Sequence, residues 1–192
     1  MIDRIIEFDK HLMLLLNGWH SPFFDFLMPV ITNKYTGIPI YIAILVILFR
    51  KTDMKRLLIC VAAVLVTFAL CDSLSVALFK ETFQRLRPCW DPEIMDQVRM
   101  LEYKGGQYGF VSSHAANLFG LATITSLLIR NRIYTALIFV WAALVGYSRI
   151  YVGKHFPADV VCGAIFGMIV GYLVYKGTIW LCDYLRKRRC SA

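Results

Sequence analysis

Lys80, Arg87, His114, Arg149, His155 and Asp159 are conspicuous because only 18% of this chain is charged and each lies at the edge of a hydrophobic stretch. They fall in three islands: "KETFQRLRP" from Lys80 to Pro88, "VSSHAAN" from Val111 to Asn117, and "SRIYVGKHFPAD" from Ser148 to Asp159. Arginine offers a planar fork of donors that fits phosphate oxygens, and lysine adds a compact point charge. Lys80, Arg87 and Arg149 therefore make a candidate cradle for a phosphoryl group. Ser112 and Ser113 fall at the expected start of a helix, where a hydroxyl can cap and unpaired N–H groups can receive an anion. Pro157 suits a first helical turn, and Asp159 lies four residues after His155. On a continuing turn the carboxylate would fix one imidazole tautomer and free the other nitrogen to attack. With His114 to protonate the leaving oxygen and then activate water, such a set could transfer a phosphoryl group in two steps through a phosphohistidine. That route needs no metal and no other cofactor.

These residues must be positioned by helices. The 192 residues are 58% hydrophobic with a mean hydropathy of +0.59, too apolar for an ordinary soluble surface, which points to an all-α integral membrane protein. Leu57–Phe79, Phe110–Ile129, Ile133–Val152 and Val160–Cys182 each approach or exceed the roughly 20 apolar residues of a spanning helix. Gly37–Phe49 is short, and the polar break "NKYTG" separates it from Ser21–Thr32. That region reads as one span, two, or a hairpin, so the bundle has five or six transmembrane helices. Residues 1–20 interleave Ile5, Ile6, Phe8, Leu12, Leu15 and Leu16 with Asp3, Arg4, Glu7, Asp9 and Lys10, the pattern of an amphipathic interfacial helix. It carries no basic leader followed by a cleavage site, and an anchoring role is favoured over a functional one. The chain reads as one domain, 1–192, with its chemistry in 80–159 and a basic tail at 183–192.

The net charge of +8 is distributed as a membrane protein distributes it and not as a nucleic-acid binder does. Threading the spans puts Arg50, Lys51, Lys55 and Arg56, then Arg130 and Arg132, then Arg186 to Arg189 on one side. The positive-inside rule makes that side cytoplasmic, for a multi-pass inner-membrane protein whose C-terminus is inside. Lys80 to Gly109 and Arg149 to Ala158 then share the outer face, and the side of the N-terminus follows from the number of spans. Cations on the outer face run against the bias. Lys80, Arg85, Arg87, Arg149 and Lys154 thus call for an anionic partner at the membrane surface. The six cysteines show no pairing pattern or metal spacing. Asp72, within a span, is balanced between a functional and a packing role. Gly163, Gly167 and Gly171 suggest a helix-packing seam more than a dimer face, and His11 and His20 read as interfacial or structural. The stretch Cys89 to Gly109 is long enough to cap a pocket, and a solvated connector is the alternative.

The islands resemble the three-part signature of the type 2 phosphatidic acid phosphatase superfamily, membrane lipid phosphatases that share an active site with vanadium haloperoxidases and the glucose-6-phosphatases. Lysine, six residues, then Arg-Pro is met by Lys80, Arg87 and Pro88. Ser-Arg, five residues, histidine, three residues, aspartate is met by Ser148, Arg149, His155 and Asp159. The middle motif, usually Pro-Ser-Gly-His, stands here as Val111, Ser112, Ser113 and His114. The resemblance implies His155 as nucleophile, Asp159 as its partner and His114 as acid and base, with Lys80, Arg87, Ser112 and Arg149 binding phosphate. Ser113 replaces the usual glycine, so its backbone N–H is a weaker candidate contact than the Ser112 hydroxyl. Implied substrates are undecaprenyl diphosphate, phosphatidylglycerophosphate, phosphatidic acid and the phosphates of lipid A, and the residues select none of them. The same site would serve a phosphotransferase. A non-catalytic anion or lipid-phosphate transporter could use the cations, but it has no use for paired histidines and Asp159. Nothing in the sequence sets an oligomeric state.

Overall fold

The computed structural model describes residues 2–33 and 35–190. Of the expected tail at 183–192, the side chains of residues 188–190 and the whole of 191–192 lie outside the described part. Among the described residues the fold is helical, and the one isolated bridge joins Leu86 to Tyr108. Helices α1 (Ile2–Gly18), α2 (Pro22–Thr32), α3 (Ile38–Lys51) and α4 (Met54–Ser75) follow in order, and α4 runs on through a π-helical turn, Val76–Lys80, and a last turn, α5 (Glu81–Phe83). After a long loop come α6 (Ser113–Ile129), α7 (Arg132–Tyr151) and α8 (Pro157–Cys190).

Among the described residues three stretches are long and apolar enough to cross a membrane: Met54–Phe83, Arg132–Tyr151 and Pro157–Lys187. They correspond to three of the four expected spans. The fourth, expected over Phe110–Ile129, is helical only from Ser113 and joins α2 among the shorter apolar helices. Its start is set by Ser112, whose side chain accepts from the Ala115 N–H as an N-cap. The polar break after α2 is real, since the chain leaves helix at Thr32 and resumes it at Ile38.

Helix α6 is apolar all round, as a helix surrounded by others must be. It packs against α4, α7 and α8, burying Ala115, Ala116, Leu121, Ala122, Ile124 and Ile129. Ile44 and Leu48 of α3, Leu57 and Cys60 of α4, and Ile138 and Ala142 of α7 complete one core cluster around it.

The closest approach is between α6 and α8, which run parallel. A Cβ on Gly163 would stand 2.5 Å from the Ser112 carbonyl oxygen, on Gly167 2.1 Å from that of Ala116, and on Gly171 2.6 Å from that of Gly120. The glycines spaced by four thus meet carbonyls spaced by four. They form the packing seam expected from sequence, and backbone contact at this range fixes the register of the two helices. Gly167→Ala is therefore expected to destabilise the protein by about 1–3 kcal/mol or more through overpacking. Thermal unfolding in detergent checks this, with Gly177→Ala, whose Cβ would meet nothing within 4 Å, as the control that is not destabilised.

Candidate active site

Four helix ends meet on one side of the bundle: the last turns of α4 and α7 and the first turns of α6 and α8. The opposite end carries the α3–α4 and α6–α7 turns, which Lys51 ties together by donating to the Ile129 carbonyl at 3.0 Å. At the first end the helix polarity is favourable to anions. The N-termini of α6 and α8 present positive partial charge, while Lys80 and Arg149 sit where the ends of α4 and α7 would otherwise be negative.

The π turn at Val76–Lys80 widens the end of α4 and swings Lys80 toward α6, where its Nζ donates to Ser113 Oγ at 2.7 Å. Ser113 Oγ also lies 2.7 Å from Ser75 Oγ. Arg87 is held from the loop side, with its N–H bonded to the Gln107 carbonyl at 2.9 Å and its Nε to that of Tyr108 at 3.2 Å. Arg149, buried, donates from Nη1 to Thr32 Oγ1, and its Nε has no acceptor among the described residues.

Lys80, Arg87, Ser113, His114, Arg149 and His155 line a single cavity of about 540 Å³. Islands more than 60 positions apart in sequence are thus brought together. Ser112 is not among the lining residues; it is fully buried, its hydroxyl spent on the cap and its N–H on the Asp159 carbonyl at 2.9 Å. The Ser112 hydroxyl, expected to be a better phosphate contact than the Ser113 N–H, is turned into the cap, and it is Ser113 that lines the cavity. Asp72 also lines the cavity, below the cations, and the wall continues through Tyr41, Phe68, Trp141 and Val145. One part of the space is therefore cationic and the other apolar.

Asp159 is the third residue of α8 and reaches back to the Phe156 N–H with Oδ2 at 3.0 Å, as the acidic member of a capping box does. The same oxygen is 3.4 Å from His155 Nδ1. Its other oxygen accepts from Arg85 Nη1 at 2.9 Å. Arg85 in turn donates to Asp9 Oδ2 at 2.6 Å, and Asp9 Oδ1 accepts from the Ala158 N–H at 2.9 Å. A residue of α1 thereby caps the first turn of α8, so α1 does more than the anchoring expected of it. Neither Asp9 nor the role of Arg85 was legible from the sequence, although Arg85 was one of the outer-face cations.

The loop between Cys89 and Gly109 is no solvated connector. Arg99 pairs with Asp25 of α2, Lys10 of α1 pairs with Asp91 at 2.8 Å, and the loop lends Gly105 and Gly106 to the cavity wall. It rests on the turn after α7, where Gly153 has φ +83° and a Cβ would lie 2.9 Å from the Arg99 carbonyl oxygen, so only glycine fits.

Burial, and then the charges of Arg87, Arg149 and Lys80, push the His155 imidazole well below its ordinary range, with the Gly109 carbonyl acting the other way. The leading causes all disfavour the imidazolium, so the ring is neutral at pH 7 and keeps a lone pair. Burial likewise lowers Lys154, against the opposing pull of Glu102.

Residues 56–181 match a family described as the PAP2 superfamily. The chain belongs to the PAP2 superfamily. Among its PAP2 relatives, a lipid A 4'-phosphatase of Porphyromonas gingivalis is 43% identical over 176 residues, covering 91% of this chain and 75% of the relative. A second lipid A 4'-phosphatase, from Bacteroides thetaiotaomicron, is 39% identical over 178 residues, covering 91% and 79%. The crystal structure of Aquifex aeolicus LpxE superposes with a TM-score of 0.64 at 27% identity, over 86% of this chain and 93% of that one.

The charge environment makes a direct prediction. With ¹⁵N-histidine labelling in detergent, the His155 ring signals, assigned by their loss in His155→Ala, are expected to remain those of neutral imidazole through the pH range in which an ordinary histidine titrates. An imidazolium signature growing in near the ordinary histidine value would contradict it.

Proposed function

We propose that this PAP2 protein is a lipid phosphatase, acting on a phosphomonoester of the lipid A type, through a phosphohistidine. The observation that carries the reading is the composition of one cavity: two imidazoles and four cations at one end, an apolar wall at the other. A phosphate with a lipid behind it matches both halves. The lipid A preference is supported by similarity to the two 4'-phosphatases and takes precedence over the undecaprenyl diphosphate, phosphatidylglycerophosphate and phosphatidic acid alternatives.

In the proposed sequence His155 Nε2 attacks phosphorus while Asp159 faces Nδ1 and stabilises the charge the ring acquires. Lys80, Arg87 and Arg149 offset the negative charge on the transferring oxygens. His114 gives a proton to the departing sugar oxygen, then takes one from water as that water attacks the phosphohistidine. Inorganic phosphate leaves and His155 is restored. Ser113 serves by holding Lys80, and Ser112 by fixing the start of α6 against Asp159. The route requires no metal ion.

The proposed topology has five crossing segments, α3, α4, α6, α7 and α8, forming a single domain with α1 and α2 at the site end. Supporting it, α3 leads from Tyr41 at the cavity to Lys51 at the basic end, whereas Asp25 and Thr32 of α2 bond to residues beside the site. The basic turns then face the cytoplasm, in an inner membrane, and the cavity opens on the outer side.

Purified protein in detergent is expected to release phosphate from lipid A in a panel of lipid phosphates, and His155→Ala to lose at least ~10³-fold in rate. Equal rates for variant and parent would end the phosphohistidine mechanism. Anion passage through liposomes without any hydrolysis would favour a transporter. For the side of action, Tyr103→Cys puts a thiol at a loop residue that is 87% exposed, whereas native Cys89 is buried. An impermeant maleimide is expected to label it in intact cells; protection until lysis would invert the topology.

A further inference from the structure

Lys154 takes no part in the reaction above, yet it is buried and lines the same cavity. A Cβ built on Gly105 would lie 3.1 Å from Arg87 Nη1 and 3.6 Å from Lys154 Nζ, so both cations converge on one loop glycine. On its other side Lys154 neighbours Arg149. Between these two stands a single carboxylate oxygen, Glu102 Oε2, 3.4 Å from Lys154 Nζ and 3.5 Å from Arg149 Nη1.

Those separations are long. Charge-assisted bonds run at about 2.7–2.9 Å, and this molecule makes them elsewhere: Arg85 to Asp9 at 2.6 Å, Lys10 to Asp91 at 2.8 Å. Glu102 thus supplies negative charge to a pair of buried cations without filling their hydrogen-bonding capacity, and the Nε of Arg149 remains buried with no acceptor among the described residues. A tetrahedral anion with three or four oxygens would fill it better than one shared carboxylate oxygen. Glu102 is also free to leave. Its side chain is 26% exposed and it lies in an irregular segment.

We propose that Lys154 and Arg149 form an anion subsite of the cavity, which Glu102 occupies in the empty protein and which a phosphate group takes by displacing the carboxylate. The ligand class rests on the phosphatase reading. A phosphate carrying −1.5 to −2 charges at neutral pH repels a carboxylate held against the same cations, so both cannot stay. Lys154 strengthens binding of the phosphate; Glu102 weakens it and, by returning, helps inorganic phosphate depart.

The test is calorimetric titration of inorganic phosphate into the full-length protein in detergent, with lipid hydrolysis followed in parallel. Glu102→Gln is expected to bind phosphate about tenfold more tightly than the parent and to show product inhibition at correspondingly lower phosphate. Lys154→Gln is expected to bind it about tenfold more weakly. A Glu102→Gln variant that binds phosphate no more tightly, or a Lys154→Gln variant that binds it no more weakly, overturns the subsite, as does absence of phosphate binding in both parent and Glu102→Gln. A parent that binds phosphate, with both shifts as expected, but hydrolyses no lipid phosphate overturns the phosphatase reading and leaves the subsite standing.

Discussion

The backbone contact between α6 and α8 sets everything else. Both histidines of the candidate site are placed by the first turns of these helices, His114 within α6 and His155 just ahead of α8. Their separation is therefore governed by how closely and in what register the two helices run. Three glycines against three carbonyls remove the freedom to slide, because a shift of one residue would put a Cβ-bearing neighbour onto a carbonyl. The Ser112 N–H bonded to the Asp159 carbonyl closes this seam at its upper end. The chemistry at the surface is thus dimensioned by apolar packing well below it.

The second constraint is charge. Lys80, Arg87, Arg149 and Lys154 share one cavity, and such a group is tolerated only because each member has a partner other than a free carboxylate: a serine, loop carbonyls, a threonine, a loosely placed glutamate. Strong pairing would neutralise the cavity, and the strong pairs are kept outside it. Arg85 is matched with Asp9 and Asp159, and Arg99 with Asp25, as fastenings between segments. Among the carboxylate contacts distance separates the two classes, tight at the fastenings and 3.4–3.5 Å at Glu102.

Much of this was visible in the sequence, and the remainder was invisible for definite reasons. Ionisable residues at the borders of apolar stretches announce themselves, as does a glycine every fourth residue, because both are local patterns. The choice between Ser112 and Ser113 is not local in that sense. Moving a helix start by one residue rotates every side chain by about 100°, so the hydroxyl that faces the cavity depends on which serine caps. Asp9 was read as one charge on an amphipathic helix, since periodicity reports that a face is apolar and not which neighbour it meets. The Cys89 to Gly109 loop has no periodicity at all; its order comes from ion pairs with α1 and α2 and from the Gly153 turn beneath it.

The bond from Asp9 to the Ala158 N–H joins residues 149 positions apart. In a chain made and inserted from its N-terminus, the aspartate precedes every intervening segment, and the helix it caps arrives only after they have been threaded. The surroundings of His155 are thus completed only when α1 meets the first turn of α8. A chain that has reached Lys154 but not yet formed α8 thus holds every cation of the cavity and lacks the capped turn that carries Asp159.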